Sequence, residues 1–258
     1  MSEFRGKTVL VTGGSRGIGR ATGLAFGAAG AHVTLTSRDG PSDPEALRAA
    51  FAAIGAPPPR FADADVAQPG DTEALIEATG PVDIFVSNAA FAPSVGRVED
   101  YRRRDFLRTI EYCAWPIVDH CQAIHARHGR YPSAVVALSS VGHLRYIPDY
   151  DAIAVAKSAL ETHVRYLAHR LGPDGTRVNA IRAGFVDTDA LEGVLGEARL
   201  ALLRRRAPQM ILSPETVAQA VLGLCSSYFA GVNGQIITVD GGTGFADSLV
   251  DLPADPEV

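Results

Sequence analysis

The chain has 258 residues, 47% of them hydrophobic, and a formal net charge of −5 at pH 7. That length suits one domain at the large end of the usual range. The acidic balance gives no reason to expect nucleic acid or an anionic membrane as a partner. No apolar run is long enough to span a bilayer and no long apolar leader precedes Arg5 and Lys7, so the expectation is a soluble, cytoplasmic protein.

In chain order, short apolar runs at residues 7–12, 32–36, 60–63, 82–87, 134–139, 177–181 and 235–239 read as strands, and most are separated by ten to thirty residues of helical pattern. This alternation predicts an α/β fold, a single doubly wound Rossmann-type domain over residues 1–245. Its sheet should be mostly parallel and seven-stranded, with helices on both faces. The Pro57-Pro58-Pro59 run reads as a stiff turn into the third strand. Residues 101–127 read as one long helix, kinked at Pro116, where a proline removes a helix hydrogen bond and frees the carbonyl of Tyr112. Residues 185–213 contain no predicted strand; with a helix over 191–206, they are a candidate lid above the substrate. Residues 246–258 read as a loose acidic tail.

The first strand leads into Thr12-Gly13-Gly14-Ser15-Arg16-Gly17-Ile18-Gly19. Glycine is required there because the backbone turns sharply and approaches a pyrophosphate, whose charge meets the free N–H groups of a helix N-terminus. Gly13, Ser15, Arg16, Gly17, Ile18 and Gly19 are the candidate residues of that nicotinamide dinucleotide loop. An acidic residue ending the second strand would bind the ribose hydroxyls of NAD. The chain reads Thr36-Ser37-Arg38 instead, and Ser37 and Arg38 together with Arg16 point to the 2′-phosphate of NADPH.

Three cysteines, Cys113, Cys121 and Cys225, form no disulfide framework and suit a reducing compartment. Cys113, His120, Cys121, His125 and His128 share one segment, but their spacing fits no closed tetrahedral set. Surface histidines on a long helix explain them more simply than a metal, and no metal is expected. The triplets 102–104 and 204–206 are arginine, which reads first as solvated helix face and second as a surface for an acidic carrier protein or coenzyme A phosphates. Only two of the 24 basic residues are lysine, Lys7 and Lys157. Where arginine is the habitual cation, a lysine suggests that a compact ammonium is needed.

The glycine loop, Asp65-Val66, Ser87-Asn88-Ala89-Ala90, Ser139-Ser140, Lys157, Val178-Asn179-Ala180, Asp187-Thr188 and Val239-Asp240-Gly241-Gly242 together resemble the short-chain dehydrogenase/reductase superfamily over nearly the whole chain. The resemblance implies that Asp65 and Val66 meet the adenine, and that Asn88, Ala89, Lys157, Gly184, Val186 and Thr188 belong to the cofactor site. Three departures stand out: the usual Tyr falls at Ile153, the usual helix Asn at Cys113, and the usual Pro-Gly at Ala183-Gly184. The run from Arg145-Tyr146 and Tyr150 through Lys157, Leu160-Glu161 and 164–168 to Thr188-Asp189-Ala190-Leu191 is similar to the NADPH-dependent enoyl-[acyl-carrier-protein] reductases. Those enzymes share the six-residue gap between Tyr and Lys. The resemblance implies an acyl thioester substrate, an acyl carrier protein as candidate partner, and a homotetramer. Carrier protein, coenzyme A or neither remain open as the acyl bearer.

Seven residues at 100° each bring Lys157 back to within about 20° of Tyr150 on a helix. Relative to Ile153, a phenol at Tyr150 is anchored roughly 4.5 Å further back along the axis. In an enoyl thioester the oxyanion develops ~2–3 Å further from the hydride than in a ketone, by ordinary bond lengths. Tyr150 is therefore the candidate oxyanion donor of a conjugate reduction, Lys157 the cation that holds the nicotinamide ribose, and Ser140 a second donor. With Cys113 at the Asn position, the Tyr112 carbonyl is a candidate to hold a water beside Lys157. A ketoreductase using Tyr150 and a non-catalytic NADPH-binding regulator are the rival readings.

Overall fold

The computed structural model describes residues 2–91, 93 and 95–245; the expected acidic tail lies outside the described residues. Strands β1 (Thr8–Thr12), β2 (His32–Ser37), β3 (Arg60–Asp63), β4 (Ile84–Ser87), β5 (Ala134–Ser140), β6 (Arg177–Ala183) and β9 (Ile236–Val239) form one sheet in the order β3-β2-β1-β4-β5-β6-β9. Every pairing in it is parallel. All seven are the strands expected from the sequence, with no end shifted by more than two residues.

Strand β1 shows why. Val9, Leu10 and Val11 are all fully buried, the continuous apolar run of a strand covered on both faces. Val9 and Val11 point into the layer built by α1 (Gly17–Ala28), α2 (Pro44–Ala53) and α9 (Pro214–Cys225), whose Phe26, Phe51 and Val221 fill it. Leu10 points the other way, among Leu75 and Ile76 of α3 (Pro69–Thr79), Ile117 and Ile124 of α5 (Pro116–His128), and Leu160 and Val164 of α6 (Asp151–Leu171). The period of two along one strand thus serves two helix layers.

Two expectations are corrected. The helix read over residues 101–127 is two helices, α4 (Arg103–Cys113) and α5, because Pro116 opens the second at its first turn, where its missing N–H costs nothing. The helix read over 191–206 is also broken, into α7 (Asp189–Leu195) and α8 (Glu197–Arg206), at Gly196 with φ +75°. A two-residue pair, β7 (Phe185–Val186) with β8 (Ile211–Leu212), closes the base of that segment, which contained no expected strand. Among the described residues, no helix is long and apolar enough to cross a membrane.

Because the strands run parallel, the C-terminal ends of β1, β4, β5 and β6 share one edge of the sheet. The order reverses between β1 and β4, which opens a crevice there. Thr12, Ser87, Ser140 and Ala183 end those four strands, so the sequence's candidate residues converge on one rim.

Candidate active site

The glycine loop turns directly after β1. Gly13 (φ +64°) and Gly17 (φ +54°) occupy left-handed conformations that other residues rarely adopt. A Cβ on Gly19 would collide with the Gly13 carbonyl and lie 2.6 Å from the Asn88 amide, so strand, loop and helix approach too closely for any side chain. Asn88 braces this turn: its amide donates to the Thr12 and Gly13 carbonyls, each at 2.9 Å. The backbone N–H groups of Asn88 and Ala89 donate to Thr12 Oγ1 at 3.1 and 3.2 Å. Asn88 and Ala89 therefore hold the shape of the loop. At the start of α1, Arg16 is the N-cap and makes no side-chain cap bond. The first-turn N–H groups have no intrahelical partner and can accept an anion, so the loop fits a dinucleotide pyrophosphate.

Across the crevice stand Gly184, Val186 and Thr188. Thr188 caps α7 through Leu191 N at 3.3 Å and faces Gly17, whose Cβ would come 3.2 Å from its methyl. Arg16 reaches Asp189 at 3.4 Å, and Arg204 of α8 reaches Asp187 at 2.6 Å, so residues 187–204 are tied to the loop and to their own base by exposed ion pairs.

At the adenosine end the cation expected for a 2′-phosphate has a neighbour that the sequence reading passed over. Arg38 is held by Asp39, with its Nη2 2.8 Å and its Nε 3.2 and 3.1 Å from that carboxylate. Ser37 ends β2 beside them. Asp65 is engaged as well, accepting from the Ala67 N–H at 3.0 Å and from the Tyr112 hydroxyl, while Val66 is buried beneath it.

The reactive end gathers on β5 and α6. Tyr150 is the N-cap of α6, one residue ahead of the helix that the spacing argument assumed, and its carbonyl accepts the bond from Ala154 N at 2.9 Å. Asp149 before it has φ +64°, and its carboxylate lies 3.5 Å from Arg199 of α8. The Tyr150 ring lies against Gly142, where an added Cβ would come 2.6 Å from the ring's Cδ1, leaving no room for one. Burial pushes the phenol up to about 12, against the lowering effect of a hydrogen bond with Ser140; the charge of Cys113 adds to the rise. The phenol is consequently a neutral donor at physiological pH. Ile153, at the usual Tyr position, is core.

Lys157 is 6% exposed, and its ammonium donates to the Leu138 carbonyl at 2.6 Å. Burial pulls its pKa down, opposed by the charges of Cys113 and Glu161. Cys113 thus lies near enough to bear on both Tyr150 and Lys157. The ammonium meets the Leu138 carbonyl directly and the Tyr112 hydroxyl donates to Asp65, while the Tyr112 carbonyl as holder of a water beside Lys157 stays a proposal.

Sequence reading also passed over Glu161, one turn beyond Lys157. It is 3% exposed and accepts from Ser139 Oγ at 2.7 Å and from Arg182 at 2.9 and 2.6 Å, with His143 Nε2 at 3.3 Å. The expected surface character of His120 is a second miss. It is fully buried and stacked on Phe85 at 4.9 Å, and among the described residues neither ring nitrogen has a partner at hydrogen-bond geometry.

A family model described as Enoyl-(Acyl carrier protein) reductase matches residues 13–244. Enoyl-(acyl-carrier-protein) reductase (NADH) FabI of Escherichia coli is 31% identical over 259 residues, covering 95% of this chain and 97% of that one. 3beta-hydroxysteroid dehydrogenase 1 of Eggerthella lenta is 32% identical over 250 residues, covering 93% and 94%. Among solved structures, a 7 alpha-hydroxysteroid dehydrogenase complexed with NADH and 7-oxo glycochenodeoxycholic acid superposes with a TM-score of 0.81 at 27% identity, over 93% of this chain and 94% of that chain.

Proposed function

The chain belongs to the short-chain dehydrogenase/reductase superfamily of nicotinamide-dependent oxidoreductases, and we propose that it uses NADPH to reduce the carbon–carbon double bond of an enoyl thioester. The observation that carries this reading is the placement of Tyr150. It caps α6 seven residues before Lys157, rests on Gly142 and meets Ser140, while the position one turn nearer Lys157 is the core residue Ile153. The reductase from Escherichia coli gives the same reaction class a relative that spans the chain.

Gly13, Ser15, Arg16, Gly17, Ile18 and Gly19 would cradle the pyrophosphate, and Lys157 the nicotinamide ribose. Gly184, Val186 and Thr188 would close the opposite wall. NADPH, when bound, supplies the hydride that adds to the β-carbon. Everything else falls to the chain. As the β-carbon is reduced, the double-bond pair shifts between the α-carbon and the carbonyl carbon and the carbonyl pair moves onto the thioester oxygen; the Tyr150 O–H donates to that oxygen, and the Ser140 O–H beside it would be the second donor. A donor aimed where charge develops lowers the transition state more than the ground state. Lys157 is fixed by its bond to the Leu138 carbonyl, with burial pulling its pKa down against the charges of Cys113 and Glu161. Residues 185–213 form the lid, tied down by the Arg16–Asp189 and Arg199–Asp149 pairs. Collapse of the enolate then draws a proton from solvent water onto the α-carbon.

Two points of this reading have a rival with an observation behind it. Asp39 places a carboxylate just past the end of β2, bonded to Arg38, and the Escherichia coli relative carries NADH in its name; NADH is therefore the second reading of the cofactor. The similar identity of a hydroxysteroid dehydrogenase makes ketone reduction the second reading of the reaction. Steady-state oxidation of NADPH and NADH, each with an enoyl and a β-ketoacyl thioester of equal chain length, separates all four combinations. The acyl carrier and a homotetrameric assembly belong to the same proposal and follow from the resemblance alone.

A further inference from the structure

Ser140 ends β5 and leads into a 3-10 turn over Val141–His143. Its hydroxyl accepts from the Gly142 N–H at 3.1 Å, so the direction of that hydroxyl is set by the turn. The turn is in turn held from outside its own backbone. His143 Nδ1 lies 2.7 Å from the Ser140 carbonyl, which is an acceptor only, so Nδ1 donates to it. On its other side Nε2 lies 3.3 Å from the Glu161 carboxylate of α6, also an acceptor only, so as a strut the ring donates from both nitrogens.

Glu161 cannot yield. Burial raises its pKa, but hydrogen bonds from Arg182 and Ser139 and the charges of His143 and Arg182 outweigh that and hold it ionised. Arg182 of β6 grips it with two bonds and reaches Thr238 of β9 at 3.2 Å. Ser139 and Arg182 are partners in the β5·β6 register, so the carboxylate is fixed to the sheet itself. The imidazole is therefore a strut between a rigid buried carboxylate and the backbone of the residue that faces Tyr150.

We propose that His143, braced by Glu161 and Arg182, is a positioning residue that fixes the Ser140 turn and thereby aims the Ser140 hydroxyl at Tyr150. The inference rests on the reading of Ser140 and Tyr150 as the oxyanion donors. It adds a residue that touches neither substrate nor cofactor and acts only through Ser140.

The side-chain geometry supplies its own control. Asn at position 143 places an amide N–H near the site of Nδ1 and can keep the Ser140 bond; Gln places its N–H nearer the site of Nε2 and can keep only Glu161; Leu keeps neither. Turnover at saturating substrate, substrate KM, NADPH affinity by cofactor fluorescence, and melting temperature are measured for H143N, H143Q and H143L. The expected result is a kcat near the native value in H143N and about tenfold lower in both H143Q and H143L, with NADPH affinity unchanged in all three. A structural role alone would move the melting temperature of all three without separating H143N from H143Q in kcat. Crystal structures of H143N and H143L give a readout independent of the reaction: the Ser140 hydroxyl meets Tyr150 in the first and has turned away in the second. Native kcat in H143L, equal losses in H143N and H143L, or an unmoved Ser140 in the H143L structure would overturn the proposal. Absence of enoyl turnover by the native protein would instead count against the enoyl reading, and the two structures would still decide the role of His143.

Discussion

Replacing Tyr150 by Phe removes one hydroxyl and little else. The ring continues to pack on Gly142, and the one hydrogen bond that shapes the titration of the phenol is to Ser140. With the phenol pushed up to about 12, roughly one molecule in 10⁵ is ionised at pH 7, so what the native residue offers there is a donating O–H. Deleting a single preorganised donor to a developing oxyanion costs on the order of 10² to 10³ in kcat, or about 2.7–4 kcal/mol of transition-state stabilisation. The glycine loop and Lys157 are untouched, so NADPH affinity should stay within about twofold. The assay is steady-state NADPH oxidation at saturating enoyl thioester, paired with cofactor fluorescence titration of the same preparation. Native turnover in Tyr150→Phe would refute the assignment and move the donor to Tyr146 or Ser140. A loss confined to NADPH affinity would place Tyr150 in the cofactor site instead.

Gly142→Ala should reach the same residue from behind: a Cβ there meets the Tyr150 ring, 2.6 Å from Cδ1. A displacement of about 1 Å is enough to lower kcat ~10²-fold, and native turnover in this variant would show that the ring is not held as described. At the adenosine end, Arg38→Glu should raise the NADPH KM most of any single change. Asp39→Ala should lower it by freeing the guanidinium; equal use of NADPH and NADH by the native protein would sink the 2′-phosphate assignment. His120 predicts an acid instability. Burial lowers its pKa to about 4 from the model-peptide 6.5, so protonation favours the unfolded chain. Stability is then full above about pH 6.5 and falls as the pH drops toward 4. By pH 4 the loss is about 3 kcal/mol. Urea unfolding of His120→Leu should show that dependence flattened, and a curve parallel to the native one would assign the acid sensitivity elsewhere.

The fold was legible where burial writes itself into the sequence without interruption. Val9-Leu10-Val11 and Val135-Val136-Ala137 are apolar because both faces of a central strand are covered, and runs of that kind read directly as strands. The breaks were harder. Pro116 marks a discontinuity in the sequence, but whether it kinks one helix or begins another depends on the path the chain takes at Ala114 and Trp115, which only packing decides. Gly196 is ambiguous in the same way, and β7 with β8 is too short for any periodicity to register.

Within the candidate site, local spacing is what pointed to the glycine loop, Ser140, Tyr150 and Lys157, and their roles remain proposals. It did not point to residues whose contacts depend on distant partners. Glu161 sits one turn after Lys157 and could have been suspected from that alone. Its partners Ser139, His143 and Arg182, however, come from β5, the turn after it and β6, and no local pattern joins them. Asp39 was passed over because Arg38 beside it answered the cofactor question first. His120 was read as exposed from its polarity, while stacking on Phe85 holds it inside.

The central claim is that the phenol at Tyr150 serves conjugate reduction. The measurement that tests it most directly is NADPH oxidation by the native protein with an enoyl thioester and with the β-ketoacyl thioester of the same chain length. The expected result is turnover of the enoyl substrate and little of the ketoacyl one. Rapid reduction of the ketoacyl thioester, with the enoyl substrate left intact, would contradict it.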